Sequence, residues 1–369
     1  MKTQVVILKC PSYSTLRVAQ TVERLFGLLG VREIIRPGSK VFLKPNLLSP
    51  TLPEEGVTTH PLLVKEVARR IKERGAKVFI GDSPGGGVNV EVVYEKTGMN
   101  KLAKELGVEL IKFDKIRKVK NYPLAEIVFT CDYFISLPKF KTHSLMVLTG
   151  GIKNSFGLVP GTYKTELHLK FPRCKDFSLV LVDVFSLRKP DLVIVDAVVS
   201  MAGEGPTGGV LRNTGLILGS ADAVALDATL ARLMGIDPLK VDTLREAFLR
   251  GLGEVDEGKI EVLGESLSSV SLKDFPLPRQ NLINLIPSPL LKVFGSFIKN
   301  YPLIDNSLCE KCFICIKSCP VEAIGFKKDK LRIDYHFCIK CLCCYEFCPH
   351  KAIYLKKSLL LELLKLVGK

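Results

Sequence analysis

The sequence predicts an α/β protein, a mostly parallel sheet with flanking helices, joined to a small α+β domain. Three observations predict it. Strand-like and helix-like stretches alternate over residues 1–264, the rhythm of a parallel sheet with helices on its faces. Prolines then punctuate residues 265–305, and the alternation stops. Beyond this linker, residues 306–357 carry two tandem cysteine runs, and residues 358–369 form an apolar tail of helical pattern.

Taken in order, residues 1–9 predict a first strand. Apolar residues at helical spacing (Val18, Val22, Leu25, Phe26, Leu29) predict a helix that stops at Gly30. The apolar run at 40–44 is a short strand ending at Pro45 and Asn46. The next helix has Thr59 or His60 as cap, Pro61 in its first turn and Gly75 at its exit. Residues 77–80 form a strand that runs into the glycine-rich turn 81–87, with a helix opening near Val88. A helix at 100–106 and strands at 108–113 and 132–137 continue the alternation. A helix at 176–187 and a buried strand at 191–196 lead into a third glycine-rich loop, Ser200 to Gly209. A strand at 215–219, a mostly apolar helix at 221–234, a helix at 243–252 and a strand at 260–263 complete the domain. In the apolar helix, Asp227 reads as a packing carboxylate rather than a ligand. Two amphipathic stretches, 290–298 in the linker and 358–367 at the end, are expected to dock on their own protein; contact with a membrane surface is the less favoured reading.

The cysteine runs carry the clearest chemistry. The first comprises Cys309, Cys312, Cys315 and Cys319; the second comprises Cys338, Cys341, Cys344 and Cys348; a proline follows each run. Thiolates are soft anionic ligands, and four of them hold a 4Fe–4S cluster. Two-residue gaps let one loop serve one cubane, and the fourth cysteine crosses to the other, as in two-cluster bacterial ferredoxins. Cys309, Cys312, Cys315 and Cys348 are therefore expected around one cluster. Cys338, Cys341, Cys344 and Cys319 are expected around the second. A disulfide scaffold is disfavoured because the cysteines are bunched and no secretory signal precedes them. Zinc sites favour two cysteine pairs with a longer gap. Cys343 breaks the spacing and reads as a spare thiol.

Composition narrows the rest. The chain has 369 residues, 47% of them hydrophobic, and no apolar run long enough for a membrane-spanning helix. Twelve cysteines without a leader point to the cytoplasm. The net charge of +15 raises nucleic acid as a partner, but the lysines are scattered and no binding motif is present, so nucleic acid is disfavoured. An acidic redox partner protein or an anionic small-molecule electron acceptor fits better.

Two regions follow strand ends and gather polar groups. The first holds Asp82, Ser83, Gly85 and Gly86, where backbone N–H groups can cradle an anion, although a plain flexible turn would look the same. The second holds Lys139, Lys141, His143, Lys153 and Asn154, with His168 beyond. Each lysine alone reads as solvated and each histidine as an ordinary polar group. Together they read as a binding site for an anionic cofactor or substrate.

Several ordered stretches carry a resemblance: Thr59-His60-Pro61, Gly81 to Gly85, Pro138 to His143, Lys153 to Gly157, Gly203 to Pro206, and Asp222 to Asp227. Over residues 5–255 the chain resembles the family called domain of unknown function 362. The resemblance implies an architecture, a frequent ferredoxin-like module and an anaerobic, redox-linked setting. It implies no reaction. The reading built on it is an iron–sulfur redox protein, in which two 4Fe–4S clusters pass electrons to or from an anion at the glycine-rich loops. A flavin or deazaflavin would couple one-electron to two-electron steps, and His143 or His168 would move a proton. A non-enzymatic carrier or assembly factor recognising a protein partner is the alternative. A metal-assisted reaction with Asp82, His143 and His168 as ligands is the third reading.

Overall fold

The computed structural model describes residues 2–278 and 301–356. The amphipathic stretches expected at 290–298 and 358–367 lie outside the described residues. The larger unit is built on ten strands: β1 (Thr3–Lys9), β2 (Lys40–Pro45), β3 (Lys77–Ile80), β4 (Glu109–Leu110), then, after a separate hairpin of β5 (Ile116–Val119) and β6 (Tyr122–Ala125), β7 (Tyr133–Leu137), β8 (Lys139–His143), β9 (Val147–Thr149), β10 (Leu192–Ala202), β11 (Val210–Ser220) and β12 (Ile260–Gly264). The sheet runs β12-β1-β11-β10-β7-β2-β3-β4, with β8 branching from β10 and β9 from β8. Six pairings are parallel; β1 with β11, β10 with β11 and β8 with β9 are antiparallel.

Three expectations change here. Residues 139–143, expected as loop, are strand β8, fully buried along its length. The stretch after Asp196 is not a loop at a parallel strand's end; β10 runs on to Ala202 and turns through Gly203–Gly209 into antiparallel β11. The strand expected at 108–113 shrinks to the two residues of β4. Charged and glycine-rich runs masked the first two, because burial here comes from neighbouring elements rather than from apolar side chains.

Helices cover both faces of the sheet. The helix Thr15–Leu28 starts at Ser14, whose side chain accepts from Arg17 N–H, and buries Val18, Val22, Leu25 and Phe26. The helix Pro61–Lys72 has His60 as its cap and buries Leu63, Val64, Val67 and Ile71 against the same core. The helix Ala223–Leu233 begins at Asp222, whose carboxylate accepts from Val224 and Ala225 N–H.

Asp227 is a packing carboxylate with a specific task. It accepts from the N–H groups of Gly151 (2.7 Å) and Ile152 (3.0 Å), fixing the turn that presents Lys153 and Asn154. A side chain at Gly150 would strike its carboxylate. Burial raises the Asp227 carboxyl from 3.8 to about 7, against the pull of the two donors. Between those values the folded chain keeps a proton that the unfolded chain has released, so stability falls as pH rises from about 4 to about 7. The urea midpoint should fall over that range, and Asp227→Asn should flatten the slope.

The smaller unit holds β13 (Tyr301–Ile304), β14 (Ile324–Lys327), β15 (Lys330–Ile333) and β16 (Ile353–Lys356). β13 pairs with β16 and β14 with β15, both antiparallel. Residues 301–304, expected in the linker, thus belong to this module's sheet. Two short helices, Ile314–Lys317 and Cys343–Phe347, pack on each other.

Candidate functional site

The module is an internal repeat around two voids. Cys309, Cys312, Cys315 and Cys348 line one; Cys319, Cys338, Cys341 and Cys344 line the other, with Cys343 beside them. This is the crossed arrangement expected from the spacing. Lys311, Phe313 and Glu322 take the left-handed conformation, and Lys340, Leu342 and Lys351 repeat it 29 residues on. Such a backbone is costly for non-glycine residues, and its repetition marks two loops wound to one pattern. Ala323 N–H donates to the Cys319 sulfur at 3.2 Å, the kind of bond that stabilises a thiolate ligand. The thiol sets fit two four-iron clusters. Among the described residues no three His, Cys, Asp or Glu side chains converge on a single metal ion, so Asp82, His143 and His168 form no such site. A cubane is wider than one ion, and the cysteines accordingly ring voids instead of a point.

The second cavity lies beyond the carboxyl ends of β2, β3 and β8, where ligands of open α/β sheets bind. Its volume is about 60 Å³, and its lining includes Lys44, Asp82, His143, Lys153, Lys164 and Glu346. Lys44, next to last in β2, is fully buried and pairs with Asp82 at 2.7 Å. Burial lowers the Lys44 ammonium and Asp82 opposes that fall. Lys44 also donates to Asn154 Oδ1 at 3.1 Å, and Asp82 accepts from Leu47 N–H at 2.7 Å. Gly157 lies over this pair so closely that a Cβ would collide with both side chains.

Two elements of different origin meet above the pair. Glu346, on the module helix between the ligands Cys344 and Cys348, places Oε1 3.1 Å from His143 Nε2. His143 Nδ1 accepts from Leu145 and Met146 N–H, so its proton sits on Nε2 and faces the carboxylate. The Nε2 group is off line for a hydrogen bond with Glu346 and has no other partner among the described residues. Burial and the Lys153 ammonium push His143 down to about 4. Burial alone would raise Glu346, but His143, Lys153 and His168 hold it down to about 2. At neutral pH the pair is a carboxylate facing a neutral imidazole.

The rest of the cavity is cationic and aromatic. Among the described residues Lys153 has no ion-pair or hydrogen-bond partner. Lys164 donates to the carbonyls of Ser83 and Pro84. Burial lowers it to about 7. His168 stacks on Phe177 at 4.0 Å and is lowered to about 4, chiefly by burial. Phe156 meets Phe177 edge-on at 5.3 Å.

Of the residues expected at an anion site, Asp82, Ser83, Gly85, His143, Lys153 and Asn154 line the cavity. Lys141 is buried close by; its ammonium donates to Val57 O at 2.6 Å, and burial carries it well below the lysine range. Lys139 lies elsewhere. It is bound to Asp196 (3.0 Å) and to Tyr13 Oη (2.6 Å), with His60 stacked on Tyr13. Gly86 is turned toward Thr165. Lys44, Lys164 and Glu346 were not expected. A lysine directly after the apolar run Val41-Phe42-Leu43 was a readable sign for Lys44, and an acid inside a cysteine run was one for Glu346.

The triple glycine serves the module. A Cβ at Gly85 would run into the Phe347 ring, and one at Gly87 would press on Lys317. Ser318 donates to Gly86 O. The third glycine-rich turn has the same use: Thr207 donates to Tyr345 O, Tyr345 donates to Glu204 O, and Gly208 leaves room for the Tyr345 hydroxyl. Lys351 and Glu55 pair at 3.2 Å.

A family model described as Domain of unknown function (DUF362) matches residues 41–232, and one described as 4Fe-4S dicluster domain matches residues 301–349. A thylakoid-associated protein of Synechocystis sp. is 32% identical over 252 residues, covering 66% of this chain and 78% of that protein. Among solved structures, the lactate racemase apoprotein from Thermoanaerobacterium thermosaccharolyticum aligns at 12% identity over 60% of this chain and 57% of that one. Its TM-score is 0.36. No helix among the described residues is long and apolar enough to cross a membrane.

Proposed function

Because the chain belongs to the DUF362 family and carries a C-terminal 4Fe-4S dicluster domain, whose chemistry is electron transfer, we propose that it is an oxidoreductase whose module exchanges electrons with a small anion held in the cavity. The observation that carries this reading is Glu346. It sits two residues from Cys344 and two from Cys348, yet lines the same cavity as Lys153, His143 and Lys164. Two residues of chain therefore separate thiolate ligands of both clusters from a side chain of the cationic cavity. The clusters, when bound, supply single electrons. Lys153 would bind the anion, His143 would offer it the Nε2 proton, and the phenylalanines would keep water out.

Size limits the occupant. About 60 Å³ is well below the roughly 300–1,000 Å³ of pockets for cofactor-sized ligands, so a flavin or deazaflavin ring has no support from this cavity. A carboxylate or oxoanion of a few heavy atoms suits it. A carrier without a substrate would not need a buried cavity with an ammonium that has no ion-pair or hydrogen-bond partner among the described residues, and this weighs against the carrier reading. Twelve cysteines, with no disulfide among the described residues, are in keeping with a reducing compartment such as the cytoplasm.

Calorimetry with a panel of small carboxylates and oxoanions tests the site. One of them should bind the native protein, and Lys153→Met should weaken it roughly tenfold or more, the loss of one charge-assisted bond. No binding by any of the panel would remove the reading. Lys164 sets the pH dependence. Its ammonium form prevails below about 7, so affinity should decline as pH rises through that value. Lys164→Arg should carry the tight-binding range to higher pH.

A further inference from the structure

The two cysteine voids differ in their surroundings. The void lined by Cys319, Cys338, Cys341 and Cys344 includes buried Cys343 in its lining, at the start of the helix whose Glu346 and Phe347 line the cavity. The void lined by Cys309, Cys312, Cys315 and Cys348 lies at the outer end, where Cys312 is exposed. Around that outer end large apolar side chains stand exposed. Leu308, Phe313 and Phe326 are 53%, 39% and 48% exposed. Phe313 lines the void itself and touches Phe326 edge-on at 5.5 Å, joining the cysteine loop to the β14–β15 hairpin. Exposed Lys311, Lys327, Lys328 and Lys330 rim this apolar patch, and over residues 305–332 six basic residues stand against four acidic ones, Asp305, Glu310, Glu322 and Asp329.

Exposed aromatics ringed by lysines are costly to leave bare beside a redox centre unless something covers them. We propose that this face, Leu308, Phe313 and Phe326 with its lysine rim, is the docking site of an acidic one-electron carrier protein. One electron passes between the carrier's own redox centre and the outer cluster, and no bond is made or broken. Charge complementarity chooses the carrier's sign; the aromatic pair supplies the desolvated centre of the contact. An anionic membrane would also meet lysines and aromatics, but the patch surrounds the exposed cluster ligand, where an electron must cross. The proposal rests on the electron-transfer reading above, not on the cavity's occupant.

Calorimetry of the cluster-loaded full chain with a flavodoxin, an acidic one-electron protein, and with basic cytochrome c tests it, with no small anion present. Flavodoxin should bind, and its affinity should drop as salt rises. K327E/K328E/K330E should weaken flavodoxin roughly tenfold or more, and F326A should weaken it further, with iron content and reduction by dithionite unchanged. Equal binding of cytochrome c, absence of flavodoxin binding, or undiminished binding by the triple variant would overturn the proposal. So would phosphatidylserine vesicles that bind this face and displace flavodoxin. Because the anion is left out, a failed docking test and a failed cavity test remain distinct.

Discussion

Gly85→Ala should separate the cluster module from the cavity without emptying the clusters. The added methyl would occupy the space of three Phe347 ring atoms, and Phe347 is buried and adjacent to the ligand Cys348, so the ring has little freedom to turn away. The module must shift instead, taking Glu346 with it. An ångström-scale misplacement of reacting groups can cost about a hundredfold in rate, and a loss of that size is expected in reoxidation of the reduced protein by the bound anion. Iron content should stay at about eight per chain, and dithionite should still reduce it. Phe347→Ala in the same chain should restore much of the rate by opening the space. Loss of rate without that rescue would point to a general folding defect.

Lys44→Met should cause the largest loss of stability. The Lys44–Asp82 pair is 0% and 3% exposed in its side chains. Removing the cation leaves a carboxylate buried with its backbone donors alone, which costs about 3–5 kcal/mol for a pair of this kind. The urea midpoint should drop accordingly. Lys44→Met with Asp82→Asn should recover a substantial part, because no unpaired charge then remains. A double variant as unstable as the single one would show that packing, not charge, sets the cost.

The cysteine spacing made the module legible almost completely, since ligand geometry leaves few ways to place eight thiolates around two cubanes. The parallel rhythm from β1 to β3 was equally readable, because apolar periodicity and capping agreed there. Legibility failed where burial was reached by unusual means. Strand β8, Lys139-Phe140-Lys141-Thr142-His143, is charged in sequence and buried in the fold; Asp196 and Tyr13 satisfy Lys139, and Val57 O satisfies Lys141. The glycines of the 81–87 turn suggested an anion cradle. Their neighbours in space are Phe347, Lys317 and Ser318, residues more than two hundred positions away. Nothing local in the sequence signals a contact of that range. For the same reason an acid inside the cysteine run marked Glu346 without placing it in the cavity, which the module forms by closing over the sheet.

The most direct measurement is single-turnover reoxidation, in which anaerobically reduced protein is mixed with the small anion that calorimetry selects and the cluster absorbance is followed. The account predicts that colour returns in the native protein with electrons matched by reduced product, and that Lys153→Met and Gly85→Ala each slow the return sharply while Phe326→Ala leaves it unaltered. Return at the same rate in all of them would mean that electrons leave by another route and that the cavity plays no part.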